Sequence, residues 1–72
     1  MPNTELLKPF QIRENFLGER ILITNVTDDF CFYMYSDGTT CSCQNCHIIE
    51  KLVKQYDNFI TAVQSPEFRL KI

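Results

Sequence analysis

The spacing of hydrophobic positions along this chain changes twice, and each change marks an element. From Arg20 to Val26 β-branched residues dominate, and from Phe30 to Ser36 apolar and aromatic side chains run almost without interruption. Both segments read as strands. Thr27-Asp28-Asp29 is the turn between them. Asp37-Gly38 follows, the dipeptide that supplies positive φ for a two-residue hairpin. Thr39 to Cys43 is then the third strand of a meander. Upstream, Phe10-Gln11-Ile12 alternates and suits a short edge strand or an extended strip laid on the core, while Glu14-Asn15-Phe16-Leu17-Gly18 reads as a turn.

From Cys46 the spacing becomes helical. Ile48, Ile49, Leu52, Val53 and Tyr56 fall on one stripe, with Glu50, Lys51, Lys54 and Gln55 opposite. Asn45 is placed as the N-cap and Asp57-Asn58 as the stop. Phe59 to Val63 then prefers strand, Ser65-Pro66 turns the chain, and Phe68 to Ile72 alternates. A competing reading carries the helix on to Gln64, because Phe59, Ile60 and Val63 continue its apolar stripe. The expected fold is α+β, a small antiparallel meander of about five strands with one amphipathic helix. Its order is β-β-β-α-β-β, curled in the manner of an SH3-type barrel. Residues 1–9, bounded by Pro2 and Pro9, form an irregular arm, and residues 10–72 form the domain.

Side chains alternate along a strand. Phe30, Phe32 and Met34 therefore share one face of the central strand, and Cys31, Tyr33 and Tyr35 the other. On its neighbour, Leu22 and Val26 point one way and Ile21 and Ile23 the other. Both faces are apolar, and one helix covers one of them. The second face is either core in a closed barrel or sandwich, or a contact surface. Tyrosine suits the latter, since its ring buries well while its hydroxyl tolerates water. Ile21, Ile23, Tyr33 and Tyr35 are accordingly the candidate partner-binding residues.

Composition narrows the class. Seventy-two residues with 44% hydrophobic and 22% charged content make one globular domain, near the size where a single core is barely sufficient. The net charge is −2 and the seven basic residues are scattered singly. Direct nucleic-acid binding, which draws on phosphate neutralisation, is therefore not expected. The first residues have no positively charged flank followed by a long apolar run, so neither export nor membrane insertion is expected and the predicted compartment is the cytoplasm. Four cysteines in that setting read as thiols or metal ligands.

The densest chemistry is Cys41-Ser42-Cys43-Gln44-Asn45-Cys46-His47. Cys43 and Cys46 have the spacing of a zinc knuckle, and Cys41 and His47 complete a possible ligand set. Structural zinc sites usually combine two separated pairs, however, and no second CxxC or CxxH exists. With a two-residue Asp37-Gly38 turn, Cys41 lies opposite Met34 and Cys43 opposite Phe32, with Cys31 on the other face. Packing as small hydrophobes then explains Cys41 and Cys43 without a metal. Cys46 in the first turn of a helix would meet the positive end of the macrodipole, which favours thiolate. Its neighbour His47 does not face it on a helix, and no second histidine can act as base. The CxxC pair lacks the alternating strands and helices of a thioredoxin-like protein.

Asp28, Asp29 and Asp37 have a local explanation as turn residues. They also suit an acidic surface that mimics phosphates in a partner's nucleic-acid groove. The expectation is a small non-enzymatic protein-interaction domain without a cofactor. Its profile is that of an adaptor or an inhibitor of the kind carried by phages and other mobile elements, acting on a protein partner or by self-association. The alternatives are a zinc-stabilised binding module and a thiol redox protein.

Overall fold

The computed structural model describes residues 7–71. Five strands form one antiparallel sheet: β1 (Gln11–Glu14), β2 (Arg20–Val26), β3 (Phe30–Tyr35), β4 (Thr40–Gln44) and β5 (Lys51–Gln55). A single 3₁₀ turn, Asn45–His47, follows β4, and a short helix α1 (Phe59–Val63) follows β5. The sheet order is β4-β3-β2-β1-β5. Four strands run as a meander and the fifth returns to pair with the first. Among the described residues the sheet is open, with β4 and β5 as its edges, and does not close into a barrel.

The expected strand order fails after β4. The segment read as an amphipathic helix from Cys46 to Tyr56 is the 3₁₀ turn and β5. The segment Phe59–Val63, read as a strand, is the helix. No strand forms over Phe68–Lys71, and Ile72 lies outside the described residues. β1 is interior, between β2 and β5, not an edge. Of the arm, residues 1–6 lie outside the described residues.

The reason for the exchange is visible in the burial pattern. Ile48 is buried and Leu52 and Tyr56 are half-buried, whereas Ile49 and Val53 are exposed. Ile48 and Leu52 fit a helical stripe and a two-residue alternation equally well, and the register shift between Ile12 and Arg13 in the β1–β5 ladder then sets Tyr56 on the opposite face, against the core of Ile12 and Leu22. The free edge of β1 decides between the two patterns, because its backbone groups require partners and β5 supplies them from Gln11↔Gln55 to Glu14↔Lys51. Asn58, read as a stop, is a start: its side-chain oxygen accepts the Thr61 N–H at 2.8 Å and caps α1.

The Asp37-Gly38 turn also differs by one residue. Gly38 takes φ +93°, its N–H donates to the Tyr35 carbonyl, and Tyr35 N–H donates to the Thr39 carbonyl. The loop is thus three residues, Ser36-Asp37-Gly38, with glycine at the left-handed position. The register becomes Tyr33↔Cys41 and Cys31↔Cys43, in place of Met34 opposite Cys41 and Phe32 opposite Cys43.

Both sheet faces are core. On one, Ile12, Leu22 and Met34 pack with Ala62 of α1 and Phe68 of the C-terminal segment. On the other, Ile21, Ile23 and Cys31 pack with Ile48, and Leu7, Val26, Tyr33, Tyr35 and Cys43 lie against them. Val26 was expected beside Leu22. A register shift between Ile23 and Asn25 in the β2–β3 ladder turns it to the opposite face, the usual effect of a bulge. Arg20 ties the C-terminal segment down, pairing with Glu14 at 2.7 Å and donating to the Glu67 carbonyl.

Candidate functional site

The cysteines are arranged by strand register. Cys31 is buried, Cys41 and Cys43 are half-buried, and Cys46 is exposed, all four as free thiols. The three-residue turn sets Cys31 directly across from Cys43, with the sulfurs 3.9 Å apart. Cys31 therefore shares the face of Cys41 and Cys43, contrary to the sequence expectation. Burial and the adjacent Cys43 push the Cys31 thiol up to about 11, so it stays protonated and weakly nucleophilic at neutral pH. Cys46 and His47 lie in the 3₁₀ turn, both exposed. The helix N-terminus that was to activate Cys46 does not exist there. Among the described residues no group of three or more His, Cys, Asp or Glu side chains is disposed to hold a metal ion. The structure does not gather Cys41, Cys43, Cys46 and His47 into one ligand set.

The tyrosine face is covered. Ile21 and Ile23 are 1% and 0% exposed, so their side chains offer no surface to a partner. Tyr33 and Tyr35 meet edge to face, with ring centroids 5.8 Å apart, and stay half-buried against the cluster of Ile21, Ile23, Cys31 and Ile48. Burial, with Tyr35 beside it, pushes the Tyr33 hydroxyl up to about 12. The two rings contribute mainly to the second core.

The acidic turns are separated. Asp28 and Asp29 precede β3 and Asp37 follows it, so they lie about 20 Å apart along a six-residue strand. Asp37 accepts the Thr39 N–H at 2.9 Å, and this bond holds its carboxyl below the usual carboxylate range. Asn45 donates to the Thr27 and Asp28 carbonyls and fixes the other turn.

A different region is exposed and apolar. Phe16 is 90%, Ile49 72% and Leu17 69% exposed. Phe16 and Ile49 line a groove of about 570 Å³ with Leu52 and Val53, rimmed by Glu14 and Lys51. The β1–β2 turn forms one wall. Asn15 shapes it by accepting the Leu17 and Glu19 N–H groups, and Gly18 takes φ +84°. β5 and the residues before it form the other wall. The signal was present in the sequence: Phe16-Leu17 sits inside a segment read as a turn, and turns lie at the surface. Ile49 and Val53 were hidden by assignment to a buried helical stripe.

Comparison with protein-family models, with curated proteins and with solved structures found no match. No helix among the described residues is long and apolar enough to cross a membrane.

Proposed function

We propose that this chain is a small non-enzymatic protein-interaction domain that docks a protein partner in the groove between the β1–β2 turn and β5. One observation carries the reading: two large apolar side chains from separate connecting segments, Phe16 and Ile49, are largely exposed around one concave surface. Contiguous apolar surface of this kind marks interaction sites, and phenylalanine is among the side chains enriched in the core of interfaces. Adaptors and inhibitors both work this way, by occupying a partner's surface without chemistry. The remaining features support a binding role over catalysis. The buried Cys31 thiol is held protonated, and the groove's lining pairs no nucleophile with a base.

The test is a photo-crosslinking residue at position 16, compared with the same residue at exposed Gln64. A partner captured from position 16 and not from position 64 is purified and titrated against the wild type. Phe16→Ser with Ile49→Ser should lower its affinity at least about a hundredfold, since two anchors are removed. The far-UV spectrum and unfolding midpoint should stay unchanged. Undiminished binding by the double variant refutes the groove as the site.

A further inference from the structure

β4 is an edge strand whose outer backbone is unpaired among the described residues. Its inner pairing is fixed at both ends: Tyr35 N–H donates to the Thr39 carbonyl, and Asn45 N–H to the Asp29 carbonyl. The register between these bonds is unbroken. Residues of an antiparallel ladder alternate between bonding inward and outward. Cys41 and Cys43 therefore bond β3, and Thr40, Ser42 and Gln44 point their N–H and C=O groups away from the sheet.

Edges are normally blocked by charge, proline or a bulge. Thr40-Cys41-Ser42-Cys43-Gln44 has no charge and no proline, and its ladder has no bulge. The opposite edge is different: β5 carries Lys51 and Lys54, and its register shifts. Of the two edges, β4 is the one left open to pairing.

We propose that β4 is a homodimerisation edge, along which two copies pair antiparallel through Thr40–Gln44 about a twofold axis at Ser42. The outward groups are self-complementary under that operation. Ser42 bonds the partner's Ser42, and Thr40 and Gln44 of each copy bond the partner's Gln44 and the partner's Thr40. No like charges meet across the axis, whereas the same operation on β5 would gather the lysines of both copies along one seam. On one face, the exposed rings of Phe30 and Phe32, opposite Gln44 and Ser42, flank the seam. On the other, Cys41 stands against the partner's Cys43 and Cys43 against the partner's Cys41. Those are non-hydrogen-bonded positions, where Cα atoms are about 4.5 Å apart. That lies inside the roughly 4.4–6.8 Å that a disulfide spans.

This symmetry gives a specific test, made in a Cys46→Ala background because Cys46 is exposed and links copies indiscriminately. Sedimentation of the reduced protein should give twice the monomer mass. Diamide, which takes up two electrons and two protons from each thiol pair, should then give a covalent dimer. Cys41→Ala alone and Cys43→Ala alone should give none, while an equimolar mixture of the two should restore it. Ser42→Pro removes an outward N–H without breaking a β3 bond. Ser42→Lys sets like charges on the axis at an exposed position. Both should abolish the dimer, and Phe16→Ser with Ile49→Ser should leave it intact, which separates this edge from the groove. A reduced protein that sediments as a monomer overturns the proposal. So does oxidation that yields nothing beyond an intrachain Cys31–Cys43 bond, or a dimer that survives Ser42→Lys.

Discussion

Replacing Phe68 by alanine tests the first core most directly. Phe68 is 3% exposed and reaches the sheet from an irregular segment, packing with Ile12, Leu22, Met34 and Ala62. Truncating a buried phenylalanine costs about 3–5 kcal/mol, the lost transfer energy plus the cavity left behind. At roughly 0.05–0.15 kcal/mol per residue, a 72-residue domain has about 4–11 kcal/mol in total. The substitution therefore removes roughly a quarter or more of the stability. The matched control is Phe16→Ala, the same chemistry at 90% exposure, which should stay within about 0.5 kcal/mol of wild type. The chain has no tryptophan, so urea unfolding is followed by far-UV circular dichroism. With a slope near 1 kcal/mol per molar urea, the Phe68→Ala midpoint should fall by about 3 M or more. A fall of less than about 0.5 M, or an equal fall for Phe16→Ala, would refute the packing described here.

Other outcomes follow from local features. Cys31 is held protonated up to about 11 in the fold against an ordinary 9.0. Below pH 9 both states keep the proton and its contribution is intact. Between pH 9 and 11 the unfolded chain releases it first, so stability falls as pH rises, by about 3 kcal/mol in all. Chemical denaturation across that range should show a steeper decline for wild type than for Cys31→Ala. Asn58→Ala deletes the cap of a five-residue helix and should cost about 1 kcal/mol, read as a lower thermal midpoint. Gly38→Ala places a side chain at φ +93° and should cost about 1–2 kcal/mol by the same assay. An unchanged midpoint would mean the turn relaxes to another type.

The meander was legible because its signals were independent and agreed. β-branched runs at Arg20–Val26 and Phe30–Tyr35, with turn residues between and after them, point to hairpins whatever the rest of the chain does. The second half was misread where one pattern served two structures. Ile48 and Leu52 satisfy helix and strand alike, and the deciding partner, the β1 edge, lies some 40 positions upstream in the register. The apolar run Phe59–Val63 favours strand by propensity, yet one capping hydrogen bond, donated by Thr61 N–H to the Asn58 side chain, and the burial of Ala62 hold it helical. A one-residue difference in the Ser36–Gly38 loop moved every pairing in the β3–β4 ladder, which brought Cys31 to Cys43. The candidate surface was missed for the same reason. Nothing in the sequence shows that Ile48 and Leu7 pack over Ile21 and Ile23.

The β1–β5 ladder joins residues 44 positions apart, Gln11 and Gln55, whereas the other three ladders are hairpins. Non-local closure of this kind is slow, because loop entropy is lost before any contact repays it. The hairpins can form as the chain leaves the ribosome, while the outer edge of β1 waits for the last third of the sequence. The groove waits with it. Phe16 belongs to an early hairpin, but Ile49, Leu52 and Val53 reach it only when β5 docks. On the proposed reading, a partner that fills the groove would recognise finished molecules and pass over nascent or partly unfolded ones, because the groove's second wall exists only once β5 has docked.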